Sequence, residues 1–197
     1  MRPPAAPTSA RQAARRIRIL RAASELGSRE GLAGVQMHEV AKGAGVALGT
    51  LYRYFPSKSL LFLAVLEWHI EQFLGGPERG PERGAPPQWD ADPVTEVAET
   101  LVALSGKLLG DRLLAAAVAL SSFTEYASVV PTPIDIVDRA LGQRLLCLLG
   151  DRPDARSRVR LLVYGWWGLF VAMLTEEIST EQGETDLRLT ARLIAAR

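Results

Sequence analysis

The residues of this chain best suited to chemistry fall in one short run, Val46 to Lys58, which reads Val-Ala-Leu-Gly-Thr-Leu-Tyr-Arg-Tyr-Phe-Pro-Ser-Lys. Arg53 can bond guanine O6 and N7 as a bidentate pair, and Leu48 and the methyl of Thr50 can touch thymine methyls. Tyr52, Tyr54 and Lys58 suit phosphate oxygens, contacts that fix register without reading sequence; for the tyrosines the alternative is ring packing. Gly49 lets the backbone lie close to a groove at some cost in helix propensity. Ala47 stands at the helix start without a capping side chain, so a phosphate could satisfy the free amides there. Leu51 and Phe55, at i and i+4, face inward, and Pro56 stops the helix.

These residues need a frame. Met37-His38-Glu39-Val40-Ala41-Lys42-Gly43-Ala44-Gly45 predicts a second short helix closed by Gly45, so the pair reads as helix, glycine turn, helix. That is the outline of a helix-turn-helix, whose second helix enters the major groove. The string GVALGTLYRYFPSK, preceded by MHEVAKGA, resembles the DNA-binding signature of the TetR family of transcriptional regulators, with several fixed offsets matching at once. The close resemblance covers residues 11 to about 74; beyond it only helix count, lengths and order are similar. It implies that His38 stands where family members often carry a base-reading arginine, with a solvated histidine as the alternative. It also implies that Gln36 or Met37 replaces the usual threonine cap of that helix.

Charge agrees with a polyanion partner for the head alone. The chain carries a net charge of only +1, yet residues 1 to 60 hold ten of its 23 Lys and Arg and three of its 22 Asp and Glu. The head is therefore basic and the body acidic. A single cysteine, Cys147, excludes an internal disulfide and a cysteine-based metal site. The run MRPPAAPTSA lacks a signal-peptide core, and no apolar run approaches the ~18 residues that span a bilayer, so the expected location is cytoplasmic, with no membrane partner. Two histidines in separate elements, with no phosphate loop and no paired carboxylates, offer nothing that assembles into a catalytic site. No metal and no cofactor are expected.

The remaining elements follow from helical spacing and punctuation. Ile19, Ala22, Ala23 and Leu26 make the buried stripe of a first helix that Gly27 and Gly31 end; Arg11, Arg15 and Arg18 run beside it, either solvated or on phosphate. Ser57 caps a helix through Leu60, Leu61, Ala64, Val65, Trp68 and Phe73, which resembles the family's connecting helix. Residues 75 to 92, with Pro-Glu-Arg-Gly repeated twice, cannot build a core and read as a loop. Asp92-Pro93 opens a helix to about Leu109, and Asp111 one through Leu113, Leu114, Val118 and Phe123 to about Tyr126. Thr132 and Asp135 cap a helix carrying Ile136 to Leu148 and closed by Gly150. Two more run from about Ala155 to Ile178 and from about Thr185 to Ala196.

The expected fold is thus all-α, about nine helices and no strands: a three-helix head over residues 9–55, then a connecting helix and a regulatory and dimerisation domain over residues 56–197. The helix from Ala155 is apolar on two sides, so one side should meet a partner. Leu161, Gly165, Gly168 and Ala172, with Leu189 and Leu193 on the last helix, are the expected homodimer interface, the alternative being packing within the monomer. Leu104, Phe123, Tyr126, Leu145, Trp166 and Phe170 are candidate pocket residues for a mainly apolar small-molecule effector, although each also suits ordinary core. By resemblance, the expected function is a dimeric repressor on a near-palindromic double-stranded DNA operator. A helical interaction protein without ligand response, or a helical-bundle enzyme, are the other readings.

Overall fold

The computed structural model describes residues 10–75, 92–125, 141–150 and 152–196. Among them are nine helices and no strand: α1 Ala10–Gly34, α2 Met37–Gly43, α3 Leu48–Tyr54, α4 Lys58–Phe73, α5 Pro93–Leu109, α6 Arg112–Glu125, α7 Gln143–Leu149, α8 Ala155–Leu174 and α9 Thr180–Ala195. Tyr126 and the cap expected at Thr132 and Asp135 lie outside the described residues. The described residues form two compact units, one within Met1–Trp68 and Asp111–Pro133, the other within His69–Gly110 and Ile134–Arg197.

This division into compact units does not fall at the expected boundary between residues 55 and 56. The first three turns of α4, and α6, pack with the head. Gly27 shows why. α1 runs straight through it, because the missing Cβ gives Phe62 of α4 and Leu114 of α6 the space they occupy: a Cβ there would lie 2.6 Å from Phe62 Cε1 and 3.0 Å from Leu114 Cδ1. A glycine that looked like a helix end is a close-packing position. Only Gly31 interrupts the helix, with φ 64° and ψ 177°, a left-handed φ that side chains disfavour. Leu60 to Leu66 of α4 are all buried, and Ser57 Oγ accepts from Leu60 N at 3.1 Å as the expected cap.

α6 also departs from expectation. Asp111 Oδ1 accepts from Leu114 N at 3.0 Å, which starts the helix as anticipated. The stripe that packs on α1 is Leu114, Ala115, Val118 and Ala119, and so Leu113, Leu120 and Phe123 turn outward. Positions i, i+7 and i+10 share one face of a helix, and in α6 that face is not the core face. Phe123, a candidate pocket residue, is 58 % exposed.

In the other unit, Asp92 caps α5 by accepting from Val94 N at 2.9 Å, Thr95 N at 3.3 Å and the Thr95 hydroxyl at 2.6 Å. The Thr95 hydroxyl first, and then these amides, hold the Asp92 carboxyl below its usual range. Val97, Leu101, Leu104 and Leu108 of α5 meet Val159, Leu162, Val163, Trp166 and Phe170 of α8 and Leu187 and Ala191 of α9 in an apolar core. The turn between α8 and α9 comes earlier than expected. Glu176 takes a left-handed φ of 62° after α8, and Ser179 Oγ accepts from Gln182 N at 3.1 Å to start α9 at Thr180. At the far end of α9, Arg152 donates to the carbonyls of Ala195 and Ala196, and Arg158 to those of Ile194 and Ala196. Cations here complement the negative end of the helix dipole.

Candidate nucleic-acid interface

The recognition helix is short, and its placement depends on its surroundings. Ala47 and Gln36, the residues before α3 and α2, have extended backbones and make no side-chain cap bond, so neither helix supplies its own start signal. Gly45, with φ 63°, provides the left-handed residue of the turn between them. Leu51 and Phe55 are fully buried, and Val40, Ala41 and Ala44 complete the packing of the pair against the head.

What remains outside is a compact candidate reading face. Ala47, Leu48, Gly49, Tyr52 and Arg53 are exposed, Thr50 is half-buried, and His38 is exposed on α2. Nothing lies within 4 Å of where a Gly49 Cβ would stand, so the protein's own packing makes no use of that missing side chain. The face offers a guanidinium, a phenol, two apolar contacts and bare backbone over about two helical turns, the combination that base edges and phosphates require.

Two predicted phosphate ligands are placed otherwise. Tyr54 is only 6 % exposed, against 45 % for Tyr52: two residues apart on a helix, the side chains point to different sides, and Tyr54 joins Phe55 in the core with ring centroids 6.3 Å apart. Lys58 turns inward, donating to Leu32 O at 2.6 Å and Val35 O at 3.0 Å. Sequence reasoning missed Arg16, and Arg18, which it left between solvent and phosphate, stays exposed while bonding a backbone carbonyl. Arg16 pairs with Glu67 at 3.4 Å and lies over the Phe55 ring at 5.8 Å, and Arg18 Nε donates to Ala44 O at 3.3 Å at the end of α2. Their partners lie between 23 and 51 residues away along the chain, so no local spacing announces them.

In the body, the candidate pocket residues Leu104, Leu145, Trp166 and Phe170 are completely buried. The polar tip of Trp166 is already used, since Nε1 donates to Ser105 Oγ at 2.9 Å and Ser105 Oγ donates to Leu101 O at 2.9 Å. These residues form the core. Two hollows are lined by other residues: one of about 560 Å³ by Pro93, Val94, Leu148, Leu149, Arg152 and Ala195 among others. A second, of about 260 Å³, runs between α5 and α9 beside the ion pair of Arg188 and Glu99.

The expected dimer residues divide. Leu161, Gly168, Leu189 and Leu193 are exposed, whereas Gly165 and Ala172 are half-buried. A Cβ at Gly165 would stand 3.3 Å from Thr190 Cγ2, so this glycine serves the packing of α8 on α9 within one chain, while Gly168 faces open space. Tyr164, three residues from Leu161 and four from Gly168, belongs to the exposed face and was legible at that spacing.

A head whose α2 and α3 form a helix, turn, helix, with one face of α3 exposed, and a basic composition define a helix-turn-helix DNA-binding protein. Residues 19–65 match the family described as bacterial regulatory proteins, tetR family. The chain is 30% identical over 186 residues to the HTH-type transcriptional repressor KstR of Rhodococcus jostii (strain RHA1), a match covering 93% of this chain and 84% of that one. It is 43% identical over 76 residues to KstR of Mycolicibacterium smegmatis, covering 39% of this chain and 37% of that one. The crystal structure of a TetR transcriptional regulator from Rhodococcus sp. RHA1 superposes with a TM-score of 0.79 at 37% identity, over 94% of this chain and 97% of that one. The chain belongs to the TetR family and is a DNA-binding transcriptional regulator, not an enzyme. Among the described residues no helix is long and apolar enough to cross a membrane.

Proposed function

We propose that this regulator is a cytoplasmic repressor that binds a near-palindromic operator as a homodimer and is released by a small, mainly apolar effector. The observation that carries the reading is the exposed face of Leu48, Gly49, Tyr52 and Arg53 on a helix whose other side is buried. Repression is favoured by the similarity to repressors named KstR. A homodimer is favoured by the exposed Leu161, Tyr164, Leu189 and Leu193, which give α8 and α9 an apolar outer face. With two heads on a two-fold axis, half-sites lie about one turn of DNA, roughly 34–36 Å, or a multiple of it, apart. The effector reading draws on a body whose buried residues are apolar apart from small hydroxyl side chains, among the described residues. An effector acts by binding one head spacing better than another, and its differential affinity limits how far it shifts the equilibrium.

The test begins with an operator selected from genomic fragments by the wild-type protein. In a salt series, Arg53→Ala is expected to weaken that operator by about 5- to 150-fold, the loss of one bidentate base contact of ~1–3 kcal/mol, while binding to random duplex changes far less. Unaltered operator binding by Arg53→Ala would remove the assigned reading residue.

A further inference from the structure

Lys58 opens α4 four residues after α3 ends, yet its ammonium bonds carbonyls behind the exposed face of α3. One contact is with Leu32 O, in the short final turn of α1 beyond the break at Gly31, where helical carbonyls run out of amide partners. The other is with Val35 O, immediately before Gln36, the residue that starts α2 without a side-chain cap. Val35 itself is fully buried, so this junction is part of the head's core rather than a frayed loop. A single ammonium therefore ties together the end of α1, the entry to α2 and the first turn of α4, and the helix-turn-helix lies between these points in the chain. Neither α2 nor α3 brings a capping side chain of its own, so their pose relies on tertiary holds of this kind.

We propose that Lys58 is a positioning residue for DNA recognition: by holding the Leu32 and Val35 carbonyls it sets the pose in which α2 and α3 present Leu48, Gly49, Tyr52 and Arg53. It does so instead of neutralising a phosphate. The two roles differ in what they need from the side chain. A phosphate contact needs the positive charge, whereas the carbonyl hold needs donors at the right place.

The experiment compares full-length Lys58→Met and Lys58→Gln with wild type, on the wild-type-selected operator and on random duplex, across a salt series at a temperature where each variant keeps wild-type helicity. Both variants lose the charge, but the Gln amide retains a donor. The expected result for Lys58→Met is operator binding weaker by about tenfold or more, random-duplex binding within about twofold, and an unchanged slope of log affinity against log salt. Lys58→Gln is expected to regain part of the operator affinity, and it carries the test alone if Lys58→Met does not fold. A slope shallower by about 0.9, with operator and random duplex weakened alike in both variants, assigns Lys58 to a phosphate and overturns the proposal. Wild-type operator affinity in both variants overturns it too, because the hold would then serve the fold without setting the reading pose.

Discussion

Replacing Leu193 by Glu tests the outer face of α8 and α9 most directly. Leu193 is 73 % exposed, the largest exposure among the large apolar side chains described, and Leu161, Tyr164 and Leu189 beside it are 57 %, 48 % and 44 % exposed. Fully burying a leucine is worth about 1.5–3 kcal/mol, so covering the exposed part of Leu193 returns roughly 1–2 kcal/mol. A two-fold interface contains the residue twice, which makes the loss about 2–4 kcal/mol per dimer before the cost of desolvating two carboxylates is added. At about 1.4 kcal/mol per decade, the dimer dissociation constant should rise roughly 30- to 1,000-fold. The stability of the single chain should hardly change, because the side chain is already in water there. Sedimentation velocity over a wide concentration range measures the first effect, and urea unfolding of the monomeric variant the second. A dissociation constant within about threefold of wild type would refute the placement of the interface, since no face that buries Leu193 twice tolerates the charge so cheaply.

Two further substitutions probe the interior. Ser105→Ala removes the acceptor for the Trp166 indole while both residues stay buried, leaving one unsatisfied donor; urea denaturation should show a loss of ~1–3 kcal/mol, and a loss below ~0.5 kcal/mol would mean the indole finds another acceptor. Gly27→Ala would gain ~1 kcal/mol at a solvent-facing helix position. Here the new methyl meets the completely buried Phe62 ring, and net destabilisation of up to ~2 kcal/mol is expected from overpacking. A raised thermal midpoint in that variant would show that Phe62 can yield.

What the sequence made legible was what lies within a few residues along the chain. Asp92, Ser57 and Asp111 cap their helices because a cap and the amides it serves are two or three residues apart. Ser179 with Gln182 has the same spacing, Ser-x-x-Gln, and the start of α9 was readable there, although placed five residues later. Buried stripes such as Ile19, Ala22, Ala23 and Leu26 follow from helical period alone. Three features escaped because each depends on a distant element. Gly27 reads as a stop until Phe62 is seen against it. α6 has apolar residues on two faces, and only its packing on α1 selects which is core. Trp166 looks like a pocket aromatic with a free polar tip until Ser105 Oγ is seen to accept the hydrogen bond from its indole N–H.

The basic head illustrates the same limit on a functional property. Ten Lys and Arg in the first 60 residues correctly point to a polyanion, because the field of the whole head attracts DNA whichever way each side chain turns. The steepness of the salt dependence counts something narrower, the phosphates that are neutralised. Arg16 pairs with a carboxylate, Lys58 holds carbonyls next to helix ends, and Arg18, though exposed, bonds the Ala44 carbonyl, while Arg11, Lys42 and Arg53 are exposed. The cations engaged within the head are not spare charge. Carbonyls at the C-terminal ends of helices lack amide partners and carry partial negative charge, so a long cationic side chain can satisfy the end of α1 or α2 as well as it satisfies a phosphate. One residue type thus builds the frame and attracts the ligand, and composition counts both uses alike. Only geometry separates them: Arg53 stands exposed on the proposed reading face, and Lys58, five residues on, faces the carbonyls behind it.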